Sequence, residues 1–265
     1  MSPVAPVSLI TGASAGIGAA LAREFAEAGH ALVLTARREA ELNALADAIA
    51  AAGQARPLVI AADLSTLTGI AGLAGALAAR GFEPAFVVNN AGFGLMGDVA
   101  ELDRDRQLAM IDLNVRALTD LSLRWLEPIK RRRGGILNVA SVAGFLPGPG
   151  MAVYHATKAY VLSFTEALHA ELAADDVRVC ALCPGPVETE FFGHAGVPDD
   201  YFPSSFARSA ERVAREGYEG FMGGHRVVVP GRPNRIMTLL PRLLPRRLML
   251  AMTEKRWQRA QRRGG

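Results

Sequence analysis

Thr11-Gly12-Ala13-Ser14-Ala15-Gly16-Ile17-Gly18 follows a short apolar run, Val7 to Thr11, and opens an amphipathic segment, Gly16 to Ala28, with Ile17, Leu21 and Phe25 along one side. The reading is strand, glycine turn, helix. Glycines permit a tight turn and a close backbone approach. The helix beyond it offers free amides and the positive end of its dipole to a pyrophosphate. Gly12, Ser14, Gly16, Ile17 and Gly18 are therefore candidate nucleotide-binding residues. A purely structural turn explains the glycines, but not their place between a strand and a helix.

The same alternation runs through the chain. Strands are expected at Ala31 to Ala36, Pro57 to Ala62, Pro84 to Asn89, Gly135 to Ser141, Val177 to Cys183 and His225 to Val229. Helices are expected at Glu39 to Ala52, Thr66 to Arg80, Asp103 to Arg132 and Met151 to Ala174. Several strands are apolar without period two, as in a parallel sheet covered on both faces. The fold class is α/β: one Rossmann-type, doubly wound domain with about seven parallel strands. Residues 1–229 form the catalytic body, 186–206 a mobile substrate loop within it, and 230–265 a basic extension.

The residue after the second strand chooses between the nicotinamide cofactors. An acid there binds a ribose 2′-hydroxyl. This chain has Arg37 and Arg38 instead. A guanidinium binds a 2′-phosphate by charge and paired hydrogen bonds, whereas an acid repels it. NADP(H) is the expected cofactor.

Tyr154 and Lys158 stand one helical turn apart, and Ser141 lies thirteen residues before the tyrosine. Phenol and ammonium then share a helix face. A neighbouring cation favours the phenolate, and a hydroxyl from another segment can hold a substrate oxygen. The set suits proton delivery to a carbonyl.

Half the residues are hydrophobic, which argues against disorder. There is neither a long apolar run nor a leader-like pattern in Met1 to Ser8, so a cytoplasmic protein is expected. The only cysteines, Cys180 and Cys183, lie on an apparent strand, where positions three apart face opposite ways. No metal site is expected. Net charge is +3, yet residues 230–265 hold ten basic residues against Glu254, a tail of +9 on a body of −6. The tail raises the prospect of peripheral membrane contact through 234–265, against simple docking on the body or a second subunit. Docking is the stronger reading.

The chain resembles the short-chain dehydrogenase/reductase family over about residues 5–229. The resemblance rests on Thr11-Gly12-x-x-x-Gly16-x-Gly18, Asn89-Asn90-Ala91-Gly92, Asn114, Ser141, Tyr154-x-x-x-Lys158 and Pro184-Gly185. It implies Tyr154 as general acid in reduction, Lys158 as its pKa-lowering partner on the nicotinamide ribose, and Ser141 on the substrate oxygen. Asn114 would support a proton relay. Asp63 and Leu64 would meet the adenine, and Asn90, Ala91 and Gly92 the adenosine ribose. Pro184, Gly185, Val187 and Thr189 would fix the nicotinamide. Asn90 to Gly94 and His155 to Tyr160 resemble a ketoreductase-like subgroup related to 3-oxoacyl reductases and 17β-hydroxysteroid dehydrogenases. An apolar ketone or 3-oxoacyl substrate, and a homodimer or homotetramer, are the expectations.

Phe93, Phe145, Met151, Phe191 and Phe192 are candidate pocket walls. His155 adjoins Tyr154 but points about 100° away on the helix, and His30 is expected to cap a helix. Lys130 to Arg133 read as the basic close of a helix rather than a nucleic-acid patch. A non-catalytic NADPH-binding regulatory protein and a membrane-surface protein are the alternatives. A sugar epimerase usually needs a longer substrate domain.

Overall fold

The apolar runs form strands β1 (Ala5–Thr11), β2 (Leu32–Ala36), β3 (Leu58–Ala61), β4 (Phe82–Asn89), β5 (Gly135–Val139), β6 (Arg178–Leu182) and β7 (Val227–Val228) in the computed structural model. It describes residues 4–198 and 201–264. Met1 to Pro3 of the N-terminal stretch, Asp199 and Asp200 of the expected substrate loop, and Gly265 lie outside the described residues. All pairings are parallel, in the order β3-β2-β1-β4-β5-β6-β7. The order reverses between β1 and β4, and ligands of such sheets bind where it does.

The helices are α1 (Gly16–Glu27), α2 (Glu39–Ala51), α3 (Leu67–Ala79), α4 (Arg104–Ile111), α5 (Leu118–Arg124), α6 (Leu126–Arg131), α7 (Ala152–Leu172), α8 (Phe191–Ala195), α9 (Ala210–Met222), α10 (Arg232–Leu243) and α11 (Arg246–Gly264). They cover both faces. Ile10, Leu34, Val88, Leu137 and Cys180 meet Phe25 of α1, Leu42 of α2 and Phe221 of α9. Their chain neighbours Leu9, Val33, Val87, Ile136 and Val179 point the other way, to Leu73 of α3, Leu121 of α5 and Leu168 of α7. Each strand thus feeds two cores, which is why its sequence is apolar without alternation. Emptying one such position to alanine costs about 2–5 kcal/mol.

The expected helix Asp103 to Arg132 is instead three α-helical segments and a π-helical turn, Asp112–Ala117. α5 stops at Arg124 because Pro128 has no N–H for that carbonyl and its ring crowds it. Trp125 takes up the bend at φ −112° and ψ 23°. Helix α9 was absent from the sequence reading; Ser209 caps it by accepting from Arg212 N at 3.3 Å. The tail forms two helices; α10 runs through the proline stretch, with Pro233 in its first turn and Pro241 inside it. The loop 186–206 holds α8 and a 3₁₀ turn, and Val187 bridges to Arg208.

Candidate active site

At the switch point the ends of β1 and β4 are tied together by side chains. Thr11 Oγ1 donates to Val88 O at 3.1 Å and accepts from the amides of Asn90 and Ala91, both at 3.0 Å. Asn90 Nδ2 returns bonds to Thr11 O at 2.9 Å and Gly12 O at 3.1 Å. Gly12 has φ +64° and Gly16 φ +55°, and a Cβ on Gly12 would stand 2.8 Å from Ala91 Cα. The turn therefore needs glycine for conformation and for space. Ala15 caps α1 without a side-chain bond, so the first-turn amides keep no side-chain acceptor. Gly18 differs from the expected contact role: a Cβ there would collide with Gly12 O and Asn90 Nδ2, so it holds α1 against the turn behind the cavity wall.

The second half of the site rests on α7, which carries both Tyr154 and Lys158. Lys158 Nζ donates to Val139 O at 2.8 Å at the end of β5 and lies 5.8 Å from the Tyr154 ring centroid. Burial pushes its ammonium down to about 8, with Cys183 opposing. Burial likewise pushes the Tyr154 phenol up to about 12, and a hydrogen bond with Ser141 pulls against that. The expected lowering by the ammonium does not set the phenol here: desolvation of the phenolate dominates, and Ser141 is the group that opposes it. Ser141 Oγ accepts from Ala143 N at 3.1 Å and donates to Pro184 O at 3.4 Å, fixing the hydroxyl between two loops.

Asn114 lies inside the π-helical turn and is buried. Its Nδ2 donates to Phe93 O at 2.9 Å and to Thr157 Oγ1 at 3.1 Å; its Oδ1 accepts from Phe93 N at 3.1 Å. A Cβ on Gly92 would come within 2.9 Å of that Oδ1 and 3.7 Å of Lys158 Nζ. Asn114 therefore packs behind Gly92, outside the cavity wall. Beneath lies a buried polar link: Asn89 Nδ2 donates to Asn138 Oδ1 at 2.8 Å and Ser122 Oγ at 3.0 Å, and Asn138 Nδ2 to Thr165 Oγ1 at 2.9 Å.

One cavity of about 530 Å³ joins the two halves. Its wall includes Gly12, Ser14, Gly16, Ile17, Arg37, Arg38, Asp63, Leu64, Asn90, Ala91, Gly92, Pro184, Gly185, Val187 and Thr189, along with Ser141, Tyr154 and Lys158. Glycine amides and guanidinium groups are spread along it, the donors that the phosphates of a dinucleotide need, with the Asp63 carboxylate as an acceptor beside them. Arg38 Nη2 donates to Ser14 Oγ at 3.3 Å. Burial raises the Asp63 carboxyl, but bonds from Ser65 and the charge of Arg37 outweigh it, leaving it below the usual range.

At the other end, Met151, Phe191 and Phe192 line the wall. Phe93 and Phe145 do not. Phe93 is held by its backbone on Asn114, and Phe145 turns into the core beside Val161 and Leu162. The sequence reading missed Tyr201, Phe202, Met237, Thr253 and Arg256, which complete this end. The last three come from α10 and α11. No local pattern joins Arg256 to Tyr201, fifty-five residues away; the exposed-looking tail offered only its alternating apolar and basic residues.

Other tempting residues have structural tasks. His155 does reach the cavity wall, contrary to the expectation that it points away, but its Nδ1 is engaged with Leu146 O at 2.8 Å, and a Cβ on Gly148 would strike its ring. His30 does not cap α1 through its ring: backbone bonds from Gly29 N and His30 N close the helix, while Nδ1 meets Ser8 Oγ at 2.8 Å. Cys180 and Cys183 are buried free thiols, both pushed up by burial. Lys130, Arg131, Arg132 and Arg133 pair with Asp175, Glu83, Glu83 and Asp176. Among the described residues no cluster could hold a metal ion, and no helix is long and apolar enough to cross a membrane.

The family profile described as short chain dehydrogenase matches residues 6–197. A short-chain dehydrogenase from Sphingobium yanoikuyae, solved with NADPH, superposes with a TM-score of 0.79 at 33% identity, covering 89% of this chain and 92% of its own. Sulfoacetaldehyde reductase 2 of Chromohalobacter salexigens is 36% identical over 216 residues, 78% of this chain and 85% of the relative. An NADP-dependent 3-hydroxy acid dehydrogenase of Schizosaccharomyces pombe is 36% identical over 187 residues, 69% of this chain and 72% of the relative. With the glycine turn, the switch-point cavity and the Ser141, Tyr154 and Lys158 group all in one wall, the chain belongs to the short-chain dehydrogenase family of oxidoreductases that use a nicotinamide cofactor.

Proposed function

We propose that this protein is an NADPH-dependent reductase of carbonyl compounds with a substantial apolar part, such as ketones or 3-oxoacyl compounds. The observation that carries the reading is the burial of Tyr154 between Ser141 and Lys158, in the same cavity as the glycine turn. Bound NADPH supplies the hydride. Arg37 and Arg38 hold the 2′-phosphate, the turn from Gly12 to Ile17 holds the pyrophosphate, and Asp63 and Leu64 flank the adenine. Asn90 to Gly92 flank the ribose, and Pro184, Gly185, Val187 and Thr189 the nicotinamide.

Ser141 donates to the substrate oxygen and Tyr154 delivers the proton to it. With its phenol held near 12, Tyr154 stays protonated at neutral pH, which suits an acid in reduction. Lys158 orients the ribose and replaces part of the lost solvation. Asn114 positions Lys158 through the Phe93 and Thr157 bonds. Met151, Phe191 and Phe192 exclude water from the reacting carbon. The NADP-dependent relative and the NADPH-bound structure support the cofactor choice.

The test is NADPH oxidation by purified protein against a panel of ketones, aldehydes and 3-oxoacyl thioesters. Turnover is expected for at least one apolar ketone, and Tyr154→Phe should lower it by roughly 10² to 10⁴ while keeping NADPH bound. Unchanged turnover in Tyr154→Phe would remove the acid assignment. Cofactor binding without any turnover would favour a regulatory protein. Leu108, Ile111, Leu123 and Tyr160 are exposed on α4, α5 and α7, and this apolar surface supports a homo-oligomer, which light scattering would detect.

A further inference from the structure

Arg256 is the unexpected member of the cavity wall. It comes from α11, in the basic extension, and lies at the substrate end with Met151, Phe191 and Phe192. Three aromatic rings connect it to the proton donor. Tyr154 packs on Phe191 at 5.5 Å between centroids, Phe191 on Phe192 at 5.7 Å, and Phe192 on Phe202 at 5.4 Å. The guanidinium then lies 4.5 Å from the Phe202 ring and 4.7 Å from that of Tyr201. Nε and Nη2 both donate to Tyr201 O.

This is a held group. Two rings and a carbonyl fix the plane of the fork, and Trp257 beside it is pressed so closely on Gly150 that no Cβ would fit there. Two of five N–H donors serve Tyr201 O; the others have no acceptor among the described residues. Burial lowers the guanidinium from its ordinary value. No ion pair to it occurs among the described residues; of the two acids in the cavity wall, Asp63 lies beside Arg37 and Glu190 pairs with Arg38. A half-buried cation loses solvation that ring faces and a single carbonyl restore only in part, and an anion restores the remainder. A pre-oriented guanidinium recovers most from a planar or tripodal oxyanion.

Resting on the reductase reading above, we infer that Arg256 is an anion anchor at the far end of the substrate cavity, so the carbonyl compounds this enzyme takes carry a carboxylate or sulfonate separated from the carbonyl by an apolar body. The aromatic rings between Tyr154 and Arg256 contact that body. Tyr154 and Ser141 hold one polar end and Arg256 the other.

Two measurements on the full chain decide it. First, kcat/KM with NADPH is compared for unbranched methyl-ketone carboxylates of five, seven and nine carbons and for their methyl esters. Wild type should favour the acid of at least one length by roughly tenfold or more, the scale of one charge-assisted hydrogen bond. Arg256→Met should collapse the acid-to-ester ratio through KM, and Arg256→Lys should restore part of it. A wild-type ratio at or below one, or the same ratio in Arg256→Met, overturns the inference. That second result is also expected if a carboxylate of the protein already satisfies Arg256. Second, titration of tryptophan emission with octanoate and with octanol needs no turnover. Octanoate should bind roughly tenfold tighter in wild type and lose that advantage in Arg256→Met; equal binding of the two by wild type overturns the inference. If no carbonyl is reduced but octanoate is selected through Arg256, the reductase reading fails and the anchor stands.

Discussion

Arg38 Nη2 lies 3.2 Å from Glu190 Oε2, joining the end of β2 to the loop over the cavity. Both side chains are largely exposed, so the pair itself contributes little stability. Its effect is on the ligand. A carboxylate competes with a 2′-phosphate for the same guanidinium. Glu190→Gln should therefore tighten NADPH several-fold, leave NADH unaltered, and shift the melting temperature by no more than a degree or two. Calorimetric titration with both cofactors checks this. Equal gains for NADH and NADPH would mean that Glu190 acts on the loop and not on the phosphate.

Arg37 lines the same end of the cavity and enters no ion pair among the described residues. Its free charge should carry most of the cofactor choice. Arg37→Ala should weaken NADPH by about 1.5–3 kcal/mol, the range for a charge-assisted bond. NADH binding should change far less. A variant with its full NADPH preference would move that role to Arg38.

Lys158 and Tyr154 titrate in opposite senses. The lysine has a folded pKa of about 8, below its value in an unfolded chain. The unfolded state then binds more protons above pH 8, and stability from this group rises with pH and is lost as pH falls through 8. The phenol is raised to about 12, so its contribution is present below about 10, the free phenol's range, and is lost as pH climbs beyond. Melting temperature measured from pH 7.5 to 9.5 should rise in wild type relative to Lys158→Met. Parallel curves would show that Lys158 keeps an ordinary pKa in the folded chain.

Gly150 has φ +78° and faces the Trp257 ring. Alanine there is strained by its backbone and obstructed by the indole. Gly150→Ala should cost about 1–3 kcal/mol, shift tryptophan emission to the red, and expose 246–264 to protease. Met249 is buried on the same helix, so deleting 246–264 should lower the melting temperature as well as turnover. The full chain should ignore anionic vesicles at low salt. Salt-sensitive cosedimentation would instead assign this segment to a membrane surface.

The parts of the site legible in sequence are those where one residue type answers one local need. Gly12 and Gly16 mark positive φ, and Tyr154 and Lys158 mark one helical turn. Arg37 and Arg38 follow a strand. The sheet was legible because each strand serves two apolar cores. Pro128 carried the break in the helix after Arg124, and the longer periodic pattern hid it. The π-helical turn around Asn114 has no comparable mark. Phe145 and Phe191 look alike as residues near the site, yet one enters the core and the other the cavity, a choice made by tertiary packing. Arg256 depends on Tyr201 and Phe202 across fifty-five residues, beyond the reach of any local pattern.

The cavity is assembled from segments under different constraints. Its floor, from Gly12 to Pro184, is shared with the sheet, and changes there disturb the fold. Its far wall belongs to α8, α10 and α11, which no strand traverses. Selectivity can therefore be altered in that wall while the chemistry of the floor stays fixed. A chimera exchanging only residues 186–206 and 246–264 with a relative should transplant substrate choice, and a bulky fusion at the C-terminus would mask it.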